Sequence, residues 1–194
     1  MTGQFFAMLS RMKYINRWAL MRNSREENLS EHSLEVAMIA HALATIGNVR
    51  LGKKLDADKA AVIGIFHDSP EIITGDMPTP IKYHDDNTRD TFKKVEDEAA
   101  TSLLELLPED LRATYEPLFF KAEGDEYLWK LVKAADRISA LIKCIEEGKA
   151  GNTEFTSASE GILARIKEME LPEADAFLNE FVPAYKLTLD ELRK

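Results

Sequence analysis

Cysteine occurs once in the 194 residues, at Cys144. That excludes an intramolecular disulfide and any zinc site built from several thiolates. Cys144 sits among Leu141, Ile142 and Ile145 and is expected as a half-buried core residue. Alternating β-branched runs are missing too. Nearly every segment repeats its apolar residues at intervals of three and four, which predicts an all-α fold. No apolar run reaches membrane-spanning length and no separate hydrophobic stretch marks the N-terminus, so the expectation is a cytoplasmic protein that does not bind a membrane. Positive charge is in deficit, with a net charge of −9. A field of that sign argues against a nucleic-acid polymer as partner, because such binding rests on neutralising phosphates. A small phosphorylated substrate would need only a local positive site. Internal repeats, low-complexity tracts and linkers are absent from the pattern, so residues 1–194 are read as one domain.

What is present is a succession of amphipathic segments. Phe5, Phe6, Leu9, Met12 and Ile15 predict a short first helix, followed by the less periodic Asn16-Arg17-Trp18 and a polar loop over 23–28. Ser30 is the expected N-cap of a helix running to about Ile46, with Glu31 at the positive end of its dipole and His32 on its apolar face. A connection over 47–55 leads to a helix capped by Asp56 or Asp58, which delivers His67 and Asp68 at its C-terminal end. Pro70 fits the first turn of a short helix over 71–74. Gly75, Asp76, Met77, Pro78, Thr79 and Pro80 are expected to form a rigid loop, since two prolines stiffen it. Helices are then expected over 85–107, from Pro108 to near Phe120, and from near Asp125 to about Glu147. A stop at 148–151 follows, then two or three short helices broken at Pro172 and Pro183.

The chemistry gathers around His67-Asp68. An imidazole beside a carboxylate suits a divalent metal of intermediate softness, although a histidine near the C-terminal end of a helix dipole would look the same. Asp136 stands beside the apolar stripe of its helix, where a carboxylate is costly to bury unless it is paired or ligates a metal. Arg137 follows it, so an ion pair of Arg137 with another carboxylate is the plain alternative there. His32, His67, Asp68 and Asp136, from three helices, are the candidate ligand set. His41 and His84 are read as ordinary surface or core histidines.

Glu31-His32-Ser33, Phe66-His67-Asp68 and Ala135-Asp136 together resemble the HD-domain phosphohydrolases, all-helical metalloenzymes. Within them, Ile15-Asn16-Arg17-Trp18, His67-Asp68-Ser69-Pro70-Glu71, Gly75-Asp76-Met77-Pro78-Thr79-Pro80 and Gly151-Asn152-Thr153-Glu154-Phe155 are similar to the bacterial 5′-deoxynucleotidases of the YfbR type. Pro70 stands where a small residue is usual in that family, and Met77 where leucine is usual.

The resemblance implies a metal-dependent 5′-nucleotidase that hydrolyses deoxyribonucleoside 5′-monophosphates with little attention to the base. It implies His32, His67, Asp68 and Asp136 as ligands of a divalent ion, with His32 and Asp68 also lining the substrate site. Cobalt or manganese is the expected activating metal, and iron, nickel, zinc or copper could occupy the site as well. By the same resemblance Glu71 is the general acid or base, Arg17 grips the phosphate, and Trp18 with Asp76, Met77, Pro78 and Thr79 encloses the sugar. A homodimer is also implied, and the apolar positions near 103–107 and 177–182 are candidates for either interface or core. Two rival readings are an HD-family hydrolase of deoxynucleoside triphosphates or of several phosphorylation states, and a non-catalytic helical interaction protein. The few lysines and arginines near the motifs beyond Arg17 (Arg22, Arg25, Lys82) favour a monophosphate.

Overall fold

The computed structural model describes residues 3–82 and 84–193. Eleven α-helices are present among them: α1 Phe5–Leu9, α2 Leu29–Leu51, α3 Ala57–Phe66, α4 Glu71–Thr74, α5 Thr79–Lys82, α6 Asp86–Glu105, α7 Glu109–Tyr115, α8 Glu126–Lys149, α9 Thr156–Lys167, α10 Pro172–Glu180 and α11 Leu189–Leu192. Among the described residues there is no strand. One isolated antiparallel bridge joins Asn16 to Asn28, flanked by Arg17 N–H donating to Glu27 O at 2.9 Å and Leu29 N–H donating to Ile15 O at 2.9 Å. The fold is an all-α bundle.

Three helices form its centre: α2 packs on both α3 and α8, and α3 packs on α8. Their shared core contains Val36, Ala40, Leu43, Ile63, Leu131, Ala135, Ile138 and Ile142, and α9 and α10 close it with Ile166, Ala174 and Phe177. A second apolar cluster gathers Phe5, Leu103, Leu104 and Leu107 beside Phe66 and Phe119. Its rings hold Phe66, the residue before His67, with centroids 5.8 Å from Tyr115 and 5.7 Å from Phe119.

Several local expectations shift. The cap of α2 is Asn28, not Ser30: its side chain accepts from the Ser30 and Glu31 backbone amides while Glu31 returns to the Asn28 amide, a capping box. The same helix runs on to Leu51, because Gly47 does not end it. A Cβ at Gly47 would lie 2.9 Å from Glu173 Oε1 and 2.9 Å from Leu55, so the glycine serves close packing, and Gly52 at φ +66° makes the actual stop. By length and mean hydropathy (23 residues, 1.2), α2 does meet the measure for a membrane-crossing helix. Here it packs on α3 and α8 at the centre of the bundle, with 44% of its apolar stretch buried.

The irregular loop after α4 ends at Pro78, since Thr79 already belongs to α5. The segment starting at Pro108 is α-helical only to Tyr115 and continues as a 3₁₀ turn through Leu118. Pro172 opens α10 rather than breaking a helix. Cys144 is fully rather than half buried, at 4% exposure. Leu103, Leu107, Phe177 and Val182 belong to the core, which leaves those positions unavailable as an interface.

Candidate metal and phosphate site

His32 enters the site from the first turn of α2 and is completely buried. His67 and Asp68 follow the end of α3, and Asp136 comes from the middle of α8. One ligand atom from each of the four lies within 4.8 Å of all the others. His67 Nε2 stands 3.0 Å from Asp68 Oδ2. His32 Nε2 stands 3.4 Å from Asp68 Oδ2 and 3.4 Å from Asp136 Oδ1. Neither Nε2 has a hydrogen-bond partner among the described residues, although both are buried. Unpartnered imidazole nitrogens facing two carboxylates fit a divalent cation, and the mixed nitrogen and oxygen set suits a first-row transition metal.

Close packing brings these atoms together. A Cβ on Gly64 would come within 2.8 Å of the Ala37 backbone, so the bare glycine lets α3 lie directly on α2. The Gly64 carbonyl is also 2.8 Å from His67 Nδ1. A carbonyl only accepts, so Nδ1 carries the proton and Nε2 is left with its lone pair toward the carboxylates. His32 Nδ1 meets Ser139 Oγ at 3.1 Å, and Ser139 Oγ donates to Glu35 at 2.6 Å.

The electrostatics are those of an opposed-charge cluster. Burial and the Arg17 charge both resist protonation of His32, but Asp136 and Asp68 outweigh them and raise its pKa. Burial would raise Asp68, yet His67 and His32 hold it well below the carboxylate range. Burial likewise opposes ionisation of Asp136, while Lys133 and His32 hold it low. Lys133 Nζ is 2.9 Å from Asp136 Oδ2. Among the described residues Arg137 pairs with no carboxylate and donates to the Arg165 carbonyl at 2.8 Å.

Glu71 behaves oppositely. Burial, together with the negative charges of Asp68 and Asp76, pushes its pKa up to about 10 against the pull of Arg17 and Lys82. Its Oε2 is buried without a hydrogen-bond partner. A dication bound at Asp68 would remove part of the negative charge that raises its pKa.

Arg17 and Trp18 sit on the chain leaving the Asn16–Asn28 bridge. Arg17 Nη1 reaches Asp68 Oδ2 at 3.5 Å, and its Nε donates to Glu27 Oε2 at 3.1 Å. Trp18 Nε1 donates to the same oxygen at 3.1 Å. The Trp18 backbone is left-handed, with φ 61°, and its amide donates to Asp76 Oδ2 at 3.3 Å. That contact sets the half-buried Asp76-Met77-Pro78 segment opposite Trp18. Thr79 begins α5, and its side chain lies outside the described residues. The Trp18 ring also packs on Phe155, with centroids 5.3 Å apart. His41 is distant from the cluster and faces Asp58 at 3.6 Å on the surface, and His84 is exposed.

Glu27, Glu35 and Ser139 are missing from the sequence reading. Glu27 lies in a polar stretch that looks like any loop. Glu35 follows His32 by three residues and Ser139 follows Asp136 by three, so helical spacing alone could have marked both as neighbours of candidate ligands.

A bundle that carries His, His-Asp and Asp on three packed helices around one point defines an HD-domain phosphohydrolase with a divalent-metal site. The solved HD-domain phosphohydrolase of Listeria innocua overlays this chain with a TM-score of 0.82 at 23% identity, covering 98% of this chain and 92% of that one. An HD phosphohydrolase of cyanophage S-2L, solved with dA and one catalytic zinc ion, overlays with a TM-score of 0.67 at 18% identity over 94% and 96% of the two chains. Residues 4–185 match the family described as 5′-deoxynucleotidase YfbR-like. The 5′-deoxynucleotidase of Erwinia tasmaniensis is 46% identical over 190 residues, covering 98% of this chain and 96% of that protein. The chain belongs to the YfbR-like 5′-deoxynucleotidase family.

Proposed function

We propose that this enzyme, a 5′-deoxynucleotidase and so a phosphoric monoester hydrolase, uses the cluster around Asp68 to split deoxyribonucleoside 5′-monophosphates. Water adds its oxygen to phosphorus, the bond from phosphorus to O5′ breaks, and deoxynucleoside and orthophosphate leave. His32, His67, Asp68 and Asp136 would hold the metal, with cobalt or manganese the activating ion. Such an ion acidifies bound water and screens phosphoryl charge.

The observation that carries this reading is the gathering of a guanidinium and a buried carboxyl group, Arg17 and Glu71, around Asp68. Arg17 faces Asp68 at 3.5 Å, and its forked donors would suit the substrate's phosphate oxygens. Glu71, one turn after Asp68 and buried, would act as the general acid or base and deliver the proton that the departing 5′-oxygen needs. Trp18 and the Asp76-Met77-Pro78-Thr79 segment would form the sugar wall, which excludes ribonucleotides by clash with their 2′-hydroxyl.

Phosphate release tests this directly, with deoxy and ribo mono- and triphosphates and with metals varied. Orthophosphate from dAMP, far less from AMP, and activation by cobalt or manganese are the expected results. Triphosphate released from dATP would replace this reading with that of a triphosphohydrolase.

A homodimer belongs to the same proposal. α2 exposes Leu34 and Met38, and α3 exposes Val62 and Ile65, an apolar surface that a second copy would cover. Sedimentation at micromolar concentration reads the state, and a monomer there ends that part. A cytoplasmic location, where nucleoside monophosphates are turned over, is checked by cell fractionation.

A further inference from the structure

The two histidines of the cluster are oriented by different means. His67 leans on a backbone carbonyl, that of Gly64 at 2.8 Å, rather than on a side chain. His32 leans on a chain of two side chains. Ser139 Oγ lies 3.1 Å from His32 Nδ1 and 2.6 Å from Glu35 Oε2. Ser139 and His32 are both fully buried, so no solvent stands in for either partner.

Proton counting fixes the direction of the chain. A carboxylate only accepts, and a hydroxyl has one proton to give. The short contact to Glu35 takes the Ser139 proton. The serine oxygen can then only accept from His32, so Nδ1 carries hydrogen and Nε2 keeps the lone pair that faces Asp68 and Asp136. Glu35 rides on α2 one turn after His32, and Ser139 rides on α8 one turn after Asp136. The chain therefore crosses between the two helices that carry these ligands.

We propose that Glu35 and Ser139 act as a positioning pair that locks His32 in its metal-binding tautomer and orientation. The proposal rests on the reading of His32 as a metal ligand. Neither residue touches substrate or metal; both act through the imidazole, as acceptors behind ligating histidines do.

The test titrates zinc, a diamagnetic probe, into metal-free protein against a chromophoric chelator, with ¹⁵N spectra of the histidine rings in the zinc-loaded state. In the wild type His32 should show hydrogen on Nδ1. Ser139→Ala should bind zinc about 10–100-fold more weakly, with the His67 ring signals retained as an internal reference. Ser139→Thr, which keeps a hydroxyl, should recover most of the affinity. Glu35→Ala should also lose affinity, since it removes the acceptor that draws the Ser139 proton away from His32. A pair that merely ties α2 to α8 would lower the melting temperature in Ser139→Ala and leave zinc affinity unchanged, and that result overturns the proposal. So does an unprotonated Nδ1 on His32 in zinc-loaded wild type, a readout that needs no variant. Wild-type protein that takes up no zinc, or a His67→Ala variant that takes it up undiminished, would instead remove the metal-site reading on which the proposal stands.

Discussion

The proposed ligands and the proposed substrate contacts of this cleft are carried differently. His32 and Asp136 stand inside long helices of the central bundle, and His67 and Asp68 at the end of a third. Arg17, Trp18 and Asp76 stand on irregular chain and are held by side-chain hydrogen bonds to one another and to Glu27. Helix packing around a shared apolar core fixes the first group, so a single substitution rarely moves it. The second group depends on a few polar links around one buried carboxylate. Its anchor on α8 is similar in kind: Glu147 accepts from the Ser24 amide at 2.8 Å, the Arg25 amide at 3.3 Å and Asn152 at 2.8 Å. The phosphate and sugar ends should therefore be tunable where the metal end is all or nothing.

The largest effect expected is at the metal end. His67→Ala or Asp68→Ala should remove bound metal and lower kcat/KM by about a thousandfold or more, since a catalytic ion contributes several kcal/mol. Metal analysis of purified protein beside a phosphate-release assay reads both, and retained metal would break the comparison from that side. Arg17→Ala should lower kcat/KM by roughly 10–100-fold, the range for losing a charge-assisted hydrogen-bond pair. Metal content should stay intact, and loss of metal with Arg17 would mean that the two groups are not separable.

Glu27→Gln should be milder, raising KM about tenfold in line with one disturbed buried carboxylate partner. It should also narrow the preference for dAMP over AMP, because one oxygen aligns both Arg17 and Trp18. Unchanged selectivity in that variant would show that Trp18 is placed by packing on Phe155 alone.

An effect of another kind is expected in the pH-dependent stability of the metal-free protein. Glu71 is raised from 4.5 to about 10 in the folded chain, so between those values the folded state holds a proton that the unfolded state has released. Stability then falls as pH rises through that window. Asp68 and Asp136 are depressed and act in the other direction, contributing stability that is lost as pH falls below 3.8 through their folded values. Denaturant melts of wild type and Glu71→Gln across pH 5–9 are the check, and the variant should show the flatter profile.

Much of this arrangement is legible from residue types alone. Histidine and aspartate at helix positions within apolar stripes stand out, because burial needs a reason for them, and His32, His67, Asp68 and Asp136 meet at one point. Helix periodicity also places the bundle. What the pattern does not show is contact across the fold. Asn28 outranks Ser30 as cap because its amide oxygen reaches two backbone donors, which depends on the turn that precedes it. Gly47 reads as a stop when the reason for it is Glu173, far along the chain. Glu27 reads as loop because its partners, Arg17 and Trp18, are brought to it by a two-residue bridge that no periodicity announces.

Gly64 carries a lesson for anyone wishing to make this enzyme sturdier. Replacing a helical glycine with alanine is a standard stabilising change, worth about 1 kcal/mol where space permits. Gly148 and Gly161 have such space, with nothing within 4 Å of an added methyl. At Gly64 the same change should fail twice over. The methyl would strike the Ala37 backbone at 2.8 Å, and pushing α3 outward would carry off the carbonyl that aims His67. Melting temperature and zinc uptake should therefore drop together in Gly64→Ala, while Gly148→Ala and Gly161→Ala raise the first and leave the second alone.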